Sequence, residues 1–115
     1  MAKKDNLNAF SLIKDQYFRL DKNYDLLFKA CKTEKDKLNL KRDYIIARSN
    51  YRKSLNLKFD KNDPIVVYLT ADLSILEDRI KKDIKNLQKA LNVLNMISES
   101  VRLASSIVVL VMSLV

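Results

Sequence analysis

Few side chains in this sequence are of a type that performs catalysis or binds a metal ion. The chain contains no histidine, so it lacks the usual general base near neutral pH and the commonest metal ligand. Its one cysteine, Cys31, falls on an apolar stripe, where a thiol behaves as a small buried hydrophobe rather than as a nucleophile. Charged pairs four residues apart, such as Asp78 and Lys82, are ordinary on helix surfaces. We therefore expect a protein that is not an enzyme and that uses no metal or other cofactor.

The basic residues are the side chains best able to recognise a partner. The chain has a formal net charge of +8, and eleven Lys or Arg against four Asp or Glu lie between Lys29 and Lys61. A basic zone of this kind favours an acidic protein, an anionic membrane or a nucleic acid. Tyr44 and Tyr51 lie in this zone and could stack on bases, but their seven-residue spacing on an apolar stripe is more typical of a core. We predict that the following residues face such a partner: Lys41, Arg42, Arg48, Arg52 and Lys53.

Cysteine usage and the N-terminal residues bear on localisation. A single cysteine cannot form an intramolecular disulfide, which is typical of a reducing compartment such as the cytoplasm. Residues 1–5 are polar and no apolar segment follows them, so we expect no secretory signal peptide.

The elements that must position these residues are helices. In the C-terminal half, apolar residues recur with heptad spacing when Leu73 is taken as position a, which predicts one amphipathic helix over about 64–115. Asp63 suits its N-cap and Pro64 its first position. The apolar side of this helix forms a predicted association seam: Leu73, Leu76, Ile80, Leu87, Leu94, Ile97, Val101, Val108 and Val111.

The N-terminal half repeats the pattern with an interruption. Apolar residues step by threes and fours from Phe10 to Cys31, stop through the charged segment 33–37, and resume up to Leu55. Either one helix over about 6–57 drifts in register here, or two helices meet near Thr33. We favour the continuous helix, followed by a turn at 58–64.

Together these patterns predict an all-α fold in one domain over residues 1–115. The two arms have similar lengths of about 50 residues, and the absence of glycine suggests few sharp corners. We expect an antiparallel hairpin of two long helices with coiled-coil-like packing.

The C-terminal tail adds a further possibility. Residues 103–115 carry no charge, but a membrane-spanning helix needs about 20 apolar residues. The tail could be buried in an assembly, pack on the first arm, or enter a membrane interface with Arg102 at the headgroups. The candidate membrane-contacting residues are Ile107, Val108, Val109, Leu110, Val111, Met112 and Leu114.

In a hairpin, one partner helix covers only one side of so broad a seam. The leading hypothesis is therefore a non-enzymatic assembly subunit that oligomerises or docks onto another protein through the seam. The alternatives are a peripheral membrane protein that inserts its tail and a basic helical protein that binds nucleic acid. No small-molecule substrate is expected.

Overall fold

The computed structural model describes residues 8–59 and 63–114, and all regular secondary structure in them is helical. Its elements are α1 (Ala9–Ala30), α2 (Glu34–Ser54), α3 (Pro64–Asp83), a short 3-10 turn (Leu87–Lys89) and α4 (Ala90–Ser113). The start of the predicted first arm near residue 6, residues 60–62 of the predicted turn, and Val115 lie outside the described residues. The all-α prediction is confirmed. The hairpin of two long helices and its coiled-coil packing are wrong, because each predicted arm is divided into two helices.

The first arm breaks at Cys31–Thr33, where continuity was expected. Thr33 is extended, with φ −127° and ψ 159°, and its side chain accepts a hydrogen bond of 3.0 Å from the Asp36 amide. This N-cap satisfies an amide that the helix itself leaves unpaired, so it stabilises a new start for α2. The charged, apolar-free segment was therefore a helix boundary and not a drift in register.

The second arm breaks between α3 and α4. The α3 helix ends at Asp83, and Asn86 is extended and accepts a hydrogen bond of 3.2 Å from the Gln88 amide. The start of this arm is as predicted: Asp63 accepts hydrogen bonds from the amides of Ile65 and Val66, at 2.9 and 3.0 Å, and Pro64 is the first helical residue.

These reversals need no glycine. Cys31, Thr33 and Asn86 all have negative φ, and no residue in the described ranges has a positive φ. An extended residue that also caps the next helix can reverse the chain, so the absence of glycine does not require long helices.

The four helices alternate in direction, and α4 packs extensively against both α2 and α3. Ser98 donates a side-chain hydrogen bond to Asp43, and Asn50 donates one to Ser105. Because the two contacts advance in the same direction along both helices, α2 and α4 are parallel neighbours. The end of α2 and the start of α3 lie at the same end of the bundle. Leu57 and Phe59, which follow α2, are half-buried and pack against the core at that end.

The apolar core has two parts, one towards each end of the bundle. One part includes Leu27, Leu40 and Ile80, at the end where α1 meets α2. The other includes Ile13 and Ile107, at the end where α1 starts and α4 finishes. Four shorter helices allow each apolar stripe to be covered from several sides, which two helices could not do.

Candidate functional site

The predicted association seam lies mainly inside the bundle. Most of its residues are buried, while Leu76 and Leu87 are half-buried. The expectation that one helix leaves this seam uncovered is wrong, because α1 and α2 cover it as well. Association of the seam with a second molecule stays a prediction, and it would require the bundle to open.

The predicted partner-facing basic residues all lie on α2, but not on one face. At 100° per residue, Lys41, Arg48 and Arg52 share one side of the helix, whereas Arg42 and Lys53 lie about 100° further round. Arg48 is half-buried and the other four are exposed. The structure therefore divides this set between two surfaces.

The aromatic residues of α1 and α2 stack on one another. The Tyr17 ring lies 5.7 Å from that of Tyr44 and 5.6 Å from that of Tyr51, measured between centroids. The Tyr44 hydroxyl donates a hydrogen bond of 2.6 Å to Asp21, and the Arg48 guanidinium lies 5.9 Å from the Tyr44 centroid. Tyr44 and Tyr51 also pack against the core, in agreement with the core interpretation of their seven-residue spacing.

A layer of buried polar side chains joins α1, α3 and α4. The Glu77 carboxylate forms an ion pair with Arg19 and accepts a hydrogen bond from the Ser100 hydroxyl. Gln16 Nε2 donates to Ser100 Oγ at 2.8 Å and to Glu77 Oε2 at 3.4 Å. Burial raises the pKa of Glu77, and the Ser100 hydrogen bond and the Arg19 charge oppose that rise. This layer orients the helices, and the adjoining cavity of about 10 Å³ has room for about one water molecule.

The Cys31 thiol and the Asp43 carboxylate are both buried, and each forms a hydrogen bond within the bundle. The buried Cys31 thiol donates to the Leu27 carbonyl at 3.4 Å, and burial raises its pKa, so little of it is thiolate at neutral pH. Ser98 donates a 2.6 Å hydrogen bond to Asp43, whose pKa burial also raises.

The candidate membrane-contacting tail is divided by the fold. Its residues Ile107, Val108 and Val111 are buried, and Leu110 is half-buried. The other three tail residues are exposed at the end of the bundle, together with apolar side chains from the end of α2 and the start of α3. We call this group the apolar end: Leu55, Ile65, Val67, Tyr68, Val109, Met112 and Leu114.

The opposite end of the bundle is basic. Two segments far apart in sequence, 29–37 and 81–89, meet there because α1 and α3 finish where α2 and α4 start. They contain eight lysines against three acidic residues. We call these lysines the basic end: Lys29, Lys32, Lys35, Lys37, Lys81, Lys82, Lys85 and Lys89. Sequence reasoning placed the charge in the middle third and missed the four lysines of the second segment, whose close spacing was the available signal.

The segment Leu87–Ser113 is long and apolar enough to cross a membrane by length and composition. The core helix of a soluble protein can meet the same criterion, and the buried side of α4 supplies much of the core of this bundle.

No protein-family model matches this chain, and neither a curated protein nor a solved structure shows significant similarity to it.

Proposed function

We propose that this protein is a non-enzymatic assembly subunit that pairs with a second copy of itself through the apolar end. The observation that carries the proposal is the gathering of seven exposed large apolar side chains at one end of a small bundle. Soluble monomers rarely leave a large contiguous apolar patch open to water, and such patches mark interaction sites.

The apolar end is made by segments without charge. Residues 64–71 at the start of α3 and residues 103–114 at the end of α4 contain no acidic or basic side chain. Tyr68 is 67% exposed and Val109 is 64% exposed, so each has most of its surface still to bury. Full burial of a Val, Leu, Ile or Met side chain contributes about 1.5–3 kcal/mol. Several such side chains would together offset part of the entropy lost on association.

The charge distribution favours a second copy of the chain as the partner that covers the apolar end. A two-fold pairing places the same surface on both sides, so apolar side chains meet apolar side chains. The long axis of the molecule is 42 Å, and the basic end lies at the opposite pole. In an end-to-end pair the two basic ends are therefore separated by far more than the Debye length of about 8–10 Å, so their repulsion is screened. Lys53 and Lys58 near the apolar end are exposed and can remain in water.

Sedimentation velocity over a concentration series tests the proposal. The wild-type chain is expected to sediment as a dimer at tens of micromolar, and a Tyr68→Glu/Met112→Glu variant as a monomer. The control Leu38→Glu/Ile75→Glu adds the same charge at exposed apolar positions away from the apolar end, and it should remain dimeric.

Two outcomes would contradict self-association. One is a wild-type monomer across the series, and the other is equal dissociation by the control pair. Flotation of the wild type with uncharged vesicles, abolished by the Tyr68→Glu/Met112→Glu change, would instead favour insertion of the tail into a membrane.

A further inference from the structure

We propose that the basic end is a docking surface for an anionic lipid membrane. The inference rests on residues that the fold brings together from two segments about fifty positions apart in sequence, 29–37 and 81–89. It does not depend on self-association, because the apolar end lies at the other pole of the bundle.

The charge at this end is concentrated and accessible. The two segments carry a net charge of +5, and seven of the eight lysines are exposed. Lys37 is half-buried: its ammonium lies 3.3 Å from Glu34 and 5.4 Å from the centroid of the Phe28 ring. The remaining lysines have no ion-pair partner among the described residues, so their charge is available to phosphate groups.

Exposed apolar side chains lie among these lysines. Leu26 and Phe28 stand in the last turn and a half of α1, 52% and 39% exposed. Leu38 in the second turn of α2 is 67% exposed, and Leu91 in the first turn of α4 is 56% exposed. The basic end therefore presents both cationic and apolar side chains to the solvent.

This mixture favours a membrane over a nucleic acid. At a bilayer surface, lysine ammonium groups contact lipid phosphates while neighbouring leucine and phenylalanine side chains enter the apolar boundary. On a nucleic acid, phosphate contacts would use the lysines, but exposed leucines would find no apolar surface to bury. An anionic membrane satisfies both kinds of side chain.

The magnitude of the effect follows from the number of lysines. Each basic residue close to an anionic bilayer strengthens binding roughly fivefold. Replacing three of the eight lysines should therefore weaken partitioning on the order of 100-fold, and added salt should weaken it further.

Vesicle flotation with the full chain tests the inference. Phosphatidylcholine vesicles containing about one third phosphatidylserine, a strongly anionic composition, are compared with vesicles of phosphatidylcholine alone. The wild type should float with the anionic vesicles only, and Lys81→Gln/Lys82→Gln/Lys85→Gln should lose most of that binding. The control Lys14→Gln/Lys53→Gln/Lys58→Gln has the same net charge but leaves the basic end intact, so it should float like the wild type. Far-UV circular dichroism verifies that both variants keep their helices.

A second pair of substitutions separates a membrane from another polyanion. Leu38→Ser/Leu91→Ser keeps every charge, and it should weaken flotation severalfold without changing retention on a heparin column. Equal flotation with vesicles that contain and that lack phosphatidylserine would overturn the inference. So would an equal loss of flotation in the two lysine variants. Tighter binding of a short DNA duplex than of the anionic vesicles, unaffected by the leucine changes, would also overturn it and would favour a nucleic acid.

Discussion

Replacing Arg19 with methionine should expose how much of the stability depends on the buried Glu77 carboxylate. The side chain of Glu77 is 5% exposed and that of Arg19 is 20% exposed. Removing one partner of a buried ion pair leaves an uncompensated charge and costs roughly 3–5 kcal/mol. Because Arg19 retains contact with water, we expect a value near the lower end, about 3 kcal/mol at pH 7. That loss would be a large part of the stability of a domain of this size.

The pH dependence identifies the cause of that loss. Burial already raises the pKa of Glu77, and removing the Arg19 charge raises it further. A raised pKa means that the folded state binds the proton more tightly than the unfolded state. Stability contributed by protonation is therefore present at low pH and is lost as the pH rises through the folded pKa. The difference in stability between Arg19→Met and the wild type should shrink as the pH falls from 7 towards 5.

Urea unfolding followed by far-UV circular dichroism measures these differences. In a Glu77→Gln background no carboxylate is left to ionise, so Arg19→Met should cost less than about 1 kcal/mol there. The interpretation would be refuted if Arg19→Met cost the same at both pH values and in both backgrounds, since the arginine would then act through packing alone.

Three further predictions concern single positions. Thr33→Ala removes the N-cap of α2 and should lower the unfolding free energy by about 1 kcal/mol in urea, whereas Thr33→Asp should preserve it; equal losses would contradict a capping role. Ile107→Ala in the core should cost about 2–5 kcal/mol, against less than about 0.5 kcal/mol for Leu91→Ala, which is exposed on α4 away from the apolar end; similar costs for the two would contradict the assignment of the buried side of α4. The Cys31 thiol should react with an aromatic disulfide reagent much more slowly in the native protein than in urea, because it is buried and its pKa is raised; equal rates would show that it is accessible.

The local pattern of the sequence is sufficient to predict that the chain is helical and that a helix starts at Pro64. Asp63 followed by Pro64 places the start of α3 because both residues act within a single turn, through a side-chain cap and a preset φ. The seven-residue spacing of Tyr44 and Tyr51 on an apolar stripe is also local, and it correctly indicates that both side chains pack against the core.

The number of helices could not be decided in this way. A heptad pattern continues through Ile84 and Leu87 whether the chain runs straight or turns back, because it records which side of a helix is apolar and not what covers that side. Breaks at Thr33 and Asn86 are favoured only when the shorter helices fold onto one another and bury the seam from several sides.

The polar layer and the two contrasting ends also depend on tertiary structure. Gln16, Glu77 and Ser100 come from three different helices, and their hydrogen bonds exist only after those helices pack. The sequence by itself determined that the chain is helical, basic and rich in apolar stripes, because these properties are local or additive. Only the packing of four helices decided which stripes meet and which charges gather, because contacts between distant segments depend on the path of the whole chain.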